Sequence, residues 1–287
     1  MRPGTFHGLN LIFSLPKLLQ VTARPLQNSG EIRRGRYESG RLLGVKLSTR
    51  AVLAAVLSAV TAAAAYLGLI PLIVVVGLLG IVFAVGWSSL LRLPAKGGTT
   101  LVVILSGLGA LASLAATLDE PWLRYLPIIL AMSVFLAFIN EMLRAYPRNN
   151  LVDSLVGTVS GSVVSISAVG WVASYKLDGG VELAVAGAAA LAVASALSAA
   201  KFPTALSSVI VIGASTVIGW LSTFVLADLS ALSGAIIGLA AGVIVVALHS
   251  LFGRLPAVKG RTSWMSVVTL PIAVMGILTY VIGRIVL

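Results

Sequence analysis

Cysteine is absent from this 287-residue chain, and charge is scarce. Without a thiol there is no disulfide, no thiolate metal or iron–sulfur ligation and no cysteine nucleophile. Histidine occurs twice, as His7 and His249, too far apart in sequence for a zinc motif. Only 10% of the residues are charged, where a soluble domain carries about 25%. There is no G-x-x-x-x-G-K-[ST], no H-E-x-x-H and no G-x-S-x-G, so P-loop, zincin and serine-hydrolase chemistry have no foothold. No cofactor is expected.

Apolar sequence is what the chain has. Hydrophobic residues make up 59%, and mean hydropathy is +1.07. A soluble fold would have too little polar sequence to cover its surface, and disorder needs low hydrophobicity. The expected class is all-α: a polytopic integral membrane helix bundle. Nine stretches of about 20 apolar residues qualify as spans: 51–68, 71–90, 100–118, 123–141, 151–174, 181–200, 204–226, 229–250 and 264–285. The first two nearly fuse, but Gly68 and Pro71 supply a turn. The domain division is a basic tail, 1–50, and a transmembrane domain, 51–287.

The net charge of +11 would point to nucleic acid in a soluble protein. In a membrane protein it records threading, because basic loops stay in the cytoplasm. With the tail inside, Arg2, Lys17, Arg24, Arg33, Arg34, Arg36, Arg41, Lys46 and Arg50 fall inside. So do Arg92, Lys96, Arg144, Arg148, Lys201, Arg254, Lys259 and Arg261. Only Arg124, Lys176 and Arg284 fall outside, of 20 basic residues. The N-terminus is therefore expected inside and, with nine spans, the C-terminus outside. Trp87, Trp122, Trp171 and Trp264 fall near expected interfaces, where indoles collect; Trp220 sits deeper.

The tail contains Leu9–Leu19, apolar but interrupted by Pro16 and too short to span. It is either an interfacial helix beside anionic lipid or a solvated segment obeying the orientation rule. A secretory signal is not expected, since no small-residue cleavage site follows. The Ala/Val/Gly-rich body suggests a bacterial inner (plasma) membrane.

No ionisable residue falls in the middle of any expected span. Ion-coupled carriers usually hold one there. Small residues occur instead: Gly234, Gly238 and Gly242 in span eight, Gly157 and Gly161 in span five, Ser215 and Gly219 in span seven. This spacing lets backbones approach closely. In span five, Asn150, Ser154, Gly157, Thr158, Gly161, Ser165 and Ala168 share one arc at about 100° per residue. That polar stripe either forms a tight helix interface or lines a wet cavity. Ala84-Val-Gly-Trp87 recurs as Ala168-Val-Gly-Trp171 in spans of opposite direction, the arrangement of an inverted repeat. In so biased a composition we read four matching residues as coincidence.

The densest polar stretch after the tail runs from Asn140 to Asp153, on the inner side between spans four and five. Glu141 and Arg144 are spaced to pair on one helix face. Asn150 or Asp153 would cap the next helix. Candidate substrate-binding residues are Asn140, Glu141, Arg144, Arg148, Asn150, Asp153, Ser154, Thr158 and Ser165. If span eight joins spans four and five, Arg144, Arg148 and Arg254 would meet a phosphate or lipid head group.

In length and in the cadence of its last helices, Gly238 to Arg254 and Pro271 to Tyr280, the chain resembles phosphatidate cytidylyltransferases. It departs from that family's acidic C-terminal signature, since after Asp153 the acids are Asp178, Glu182 and Asp228, all expected outside. No site residue carries over. Glu141-Met-Leu-Arg, with Leu151-Val-Asp-Ser-Leu-Val-Gly-Thr-Val-Ser-Gly161 and Gly170-Trp171, is similar to uncharacterised multi-span proteins described as permeases in high-GC Gram-positive bacteria. That resemblance implies a permease moving or binding a small solute or a lipid-linked intermediate. The alternatives are a membrane enzyme or degenerate enzyme on lipid head groups, and a non-catalytic scaffold. Expected partners are membrane lipid and a partner membrane protein or a second copy, not nucleic acid.

Overall fold

Apolar runs of membrane length must satisfy their backbone hydrogen bonds internally, and helices do so. In the computed structural model every regular element among the described residues is α-helical. Described are residues 47–117, 119–145, 150–200, 204–226, 229–254 and 262–286. The tail before residue 47, with its possible interfacial segment, lies outside them, as do Arg148, Lys201, Asp228, Lys259 and Arg261.

Helix α1 is Leu47–Leu67 and α2 is Leu69–Leu90. They part at Gly68, whose φ of 133° and ψ of 178° only glycine adopts without strain. Pro71 follows in the first turn of α2, where its missing N–H costs nothing. The turn expected between the first two spans is therefore present. The remaining helices are α3 Lys96–Ala116, α4 Leu126–Met142, α5 Leu151–Ser167, α6 Gly170–Tyr175, α7 Gly180–Leu197, α8 Thr204–Ser222, α9 Ala231–Arg254 and α10 Ser263–Val286.

Seven spans have membrane-crossing length and hydropathy, with α5 and α6 together forming one, Leu151–Tyr175. Two further apolar helices, Leu126–Met142 and Leu206–Ser222, are shorter. At 1.5 Å per residue, α4 rises about 26 Å against a hydrocarbon core of about 30 Å. The chain is a multi-pass helical membrane protein. The expected nine spans correspond to seven full-length ones and two shorter helices.

On α1 and α4, large apolar side chains point outward and small or polar ones inward. On α1, Val52, Val56 and Val60 are exposed while Ala54, Ser58, Thr61 and Ala65 are buried. On α4, Ile128, Met132, Phe135 and Phe138 are exposed while Ser133 and Ala137 are buried. A water-soluble protein with such faces would aggregate. In lipid, association rests on close packing instead, which small residues allow. Buried hydroxyls satisfy themselves on their own helices, as when Ser58 donates to the Ala54 carbonyl at 2.8 Å and Ser174 to the Gly170 carbonyl at 2.7 Å.

α10 is the hub, packing on α1, α2, α5, α6, α7 and α9. α8 and α9 form a tight pair. A Cβ on Gly219 would run into the Gly234 carbonyl, and one on Gly238 into the Ser215 carbonyl, with Thr216 Cα only 2.9 Å away. The glycine spacing in span eight is thus used inside the chain.

The repeated Ala-Val-Gly-Trp does one job twice. Gly86 abuts Ser266 of α10, and Gly170 abuts the backbone at Gly276 of α10. Trp87 Nε1 donates to the Gly157 carbonyl at 2.8 Å, and Trp171 Nε1 to the Ile272 carbonyl, also at 2.8 Å. Both indoles are buried core donors, not the interface anchors expected of them. The second copy also tightens span five: at Ala168 and Val169 the backbone stays right-handed helical, but Val169 and Trp171 donate back three residues, to Ile166 and Ala168.

On the opposite end of the bundle from Glu141, Lys176 reaches back over the end of α3. Its Nζ donates to the carbonyls of Leu114 at 3.0 Å and Thr117 at 2.9 Å. It also lies 4.4 Å from the Trp122 ring centroid. These are the orphan carbonyls and the negative dipole end of α3. Burial pushes the Lys176 ammonium below the ordinary lysine value of 10.5.

Candidate functional site

The seam between α3 and α5 is polar along most of its length. Hydroxyls spaced three and four apart on α5 stack on one face, and α3 answers with its own. At the end of the seam beside the α4–α5 connection, Glu141 closes α4 and is 2% exposed. Ser154 Oγ donates to Glu141 Oε1, and Arg144 Nη1 stands 3.0 Å from Glu141 Oε2. The i,i+3 pair expected from sequence is present. It lies inside the protein, and the Arg144 side chain retains only 14% exposure.

One turn above, Thr158 Oγ1 donates to the Ser154 carbonyl at 2.8 Å and lies 3.0 Å from Thr99 Oγ1 of α3. Above that, Ser106 Oγ donates to Ser162 Oγ at 3.1 Å. The row ends at Ser165, whose buried Oγ has no hydrogen-bond partner. Gly107 on α3 gives that hydroxyl its room, since a Cβ there would run into it. Two voids of about 10 Å³ flank Ser165, one lined by Gly77, Gly80 and Gly107 and one by Gly80, Trp171 and Thr269. Each is the size of a single water.

The structure thus brings together Glu141, Arg144, Ser154, Thr158 and Ser165. Asn140 joins them by packing against Gly98 at the start of α3, with its Nδ2 buried and without a partner. Asn150 and Asp153 do not join; both are exposed. Asn150 does precede α5, in a left-handed conformation with φ 55°, but makes no side-chain cap. Arg148 lies outside the described residues. Of the two readings of the α5 stripe, a tight interface or a wet cavity, the structure has the interface with the two small voids beside Ser165, because α2, α3 and α4 pack onto that face of α5. Nor does α9 join α4 and α5. It packs on α7, α8 and α10, so Arg254 belongs to another corner of the bundle.

Sequence reasoning missed Thr99, Ser106 and Ser162. The signal was available: Thr99, Ser106 and Ser113 recur every seven residues on α3, one face of a helix. It also missed a cleft of about 60 Å³ at the ends of α1, α7, α9 and α10. Among the described residues, no three His, Asp or Glu side chains converge as a metal site.

Compared with protein-family models, curated proteins and solved structures, the chain matches none of them.

Proposed function

We propose that this is a permease-like protein of a cell inner membrane, threaded with its basic tail inside, whose path follows the α3–α5 seam. The observation that carries this reading is the row of buried hydroxyl pairs between Glu141 and the unpartnered Ser165. Helix packing alone is served by alanine and glycine. A row of hydroxyls shared between two helices instead offers successive hydrogen-bond partners to a polar solute. The tightened turn just beyond Ser165 adds to it, since a short stretch of i→i−3 bonding inside a long helix often marks a functional hinge. The seam carries no net charge, and the Glu141–Arg144 pair neutralises its inner mouth. It suits a small neutral or zwitterionic solute, or the polar end of a lipid-linked one. Among the described residues no ionisable side chain lies in the seam between Thr158 and Ser165, which fits movement that is passive or driven by a partner. The seam is closed in this conformation.

The absence of cysteine makes the test direct. Thr158, Ser162 and Ser165 are replaced singly by cysteine and challenged in membranes with a water-soluble, membrane-impermeant maleimide. Ala188→Cys, fully buried on α7, is the reference. The seam positions are expected to label at least tenfold faster than Ala188→Cys. Equal protection at all three would end the reading.

A further inference from the structure

Three glycines keep α2 and α3 from sealing over Ser165. Gly77 and Gly80 on α2 and Gly107 on α3 line one of the voids of about 10 Å³ beside it, with Leu108 at the rim. The three glycines are half-buried and Leu108 is exposed, so this void reaches the outer surface of the bundle. That surface is apolar: Val74 and Leu78 on α2, and Leu101 and Leu105 on α3, are exposed on either side. Gly80 and Gly107 fall at the middles of helices of 22 and 21 residues. The opening therefore faces the hydrocarbon core, about half-way through the membrane.

Ser165 forms its floor. The residue is 2% exposed and its Oγ has no hydrogen-bond partner. Its neighbour across the seam, Ser106, bonds to its own helix at the Val102 carbonyl as well as to Ser162. A buried hydroxyl left unpaired is costly, and here it is aimed at space that opens on lipid. Water is a poor occupant. It normally makes about three hydrogen bonds, and Ser165 is the one polar side chain lining this void. A charged head group is costly at this depth. An oxygen carried on a hydrocarbon body needs fewer partners, fits a space of one water's size, and leaves the rest of its molecule on the apolar faces outside. We propose that Ser165 hydrogen-bonds the oxygen of an uncharged lipid, a hydroxyl or a carbonyl, that enters from the bilayer between α2 and α3. The proposal rests on the α3–α5 reading and narrows its solute to one already dissolved in the membrane.

The test is photolabelling of the full chain in phosphatidylcholine vesicles with three long-chain diazirine probes of equal length: an alcohol, a ketone and an alkane. Labelled positions are mapped by peptide mass spectrometry. The alcohol, the ketone or both are expected to label α2 and α3 around Gly80 and Gly107 at least tenfold more than the alkane, and which of them does so separates a hydroxyl ligand from a carbonyl one. Ser165→Ala is expected to bring that labelling down to the alkane level. Gly80→Ala places its methyl 3.7 Å from Ser165 Oγ, an ordinary contact, and fills the void; it is expected to cut the labelling at least fivefold. Ser165→Ala deletes no hydrogen bond and should fold; melting curves check this, and Gly80→Ala carries the test if it does not. Equal labelling by all three probes overturns the proposal, as does a preference for the oxygenated probes that persists in Ser165→Ala or, should that variant not fold, in Gly80→Ala. The two readings fail separately: protection of the seam cysteines from aqueous maleimide ends the path, whereas loss of the preference for oxygenated probes ends the lateral site.

Discussion

Removing the Glu141 carboxylate tests whether the Glu141 end of the seam is a structural unit. Glu141→Ala deletes the acceptor for Ser154 Oγ and the partner 3.0 Å from Arg144 Nη1. A hydrogen bond to a charged group contributes about 1.5–3 kcal/mol. Stripping one member from a buried ion pair costs about 3–5 kcal/mol, mostly because the other charge is stranded. The Arg144 side chain keeps 14% exposure, so its long stem has some freedom to carry the guanidinium toward water. That places Glu141→Ala near the low end, about 3 kcal/mol, roughly a hundredfold in the folding equilibrium. Ser154→Ala loses the hydrogen bond alone and should cost about 1.5 kcal/mol.

The assay is reversible denaturant unfolding of the purified protein in mixed micelles, run as a double-mutant cycle of Glu141→Ala and Arg144→Ala. Removing both members strands neither charge, so the double variant should be less destabilised than the two single costs added together. A coupling of about 1–3 kcal/mol is expected for groups in direct contact. Single-variant costs within about 0.5 kcal/mol of wild type, or coupling below that, would refute the argument. The pair would then be a surface feature that the bundle does not use.

Two further outcomes follow from other contacts. Gly238→Ala puts a methyl into the Ser215 carbonyl and 2.9 Å from Thr216 Cα; overpacking of this kind costs about 1–3 kcal/mol, whereas Gly213→Ala on α8, with open space around it, should stay within about 0.5 kcal/mol in the same unfolding assay. Lys176→Met removes the donor to the Leu114 and Thr117 carbonyls and should cost about 1–2 kcal/mol near neutral pH. Because burial lowers the Lys176 value below 10.5, the unfolded chain holds more protons between the two values, so wild-type stability should rise with pH across that window and the Lys176→Met variant should lack this rise.

Helix positions were legible because a membrane dictates their length and composition. Gly68 and Pro71 marked a break that the fold makes where the sequence placed it. The inward face of α5 was legible for the same physical reason. In lipid both faces of a helix are apolar, so hydroxyls and glycines alone mark the interior, and Ser154, Thr158 and Ser165 do so at helical spacing. The short repeat was undervalued. Four residues look like chance in a composition this biased, yet both glycines abut α10 and both indoles bond to main-chain carbonyls on other helices. Arg50 was read as tail charge because helix starts blur by a few residues. α1 begins at Leu47, which turns that charge into the floor of a cleft.

Whether a polar face lines a cavity or a seam depends on what the opposing helix presents, and one helix's periodicity carries no information about that. α3 presents Thr99, Ser106 and Gly107 at heights that meet Thr158, Ser162 and Ser165 of α5. Hydroxyl meets hydroxyl at the first two, and the seam closes there by direct hydrogen bonds. At the third, glycine meets hydroxyl, and a serine is left with nothing to bond and room for one water on either side. A buried hydroxyl without a partner costs about 1–3 kcal/mol, so a water in those voids, or the polar group of a passing solute, is stabilised there more than elsewhere along the seam. On the proposed permease reading, the mismatch between Gly107 and Ser165 is the place along the seam where a polar solute would gain most.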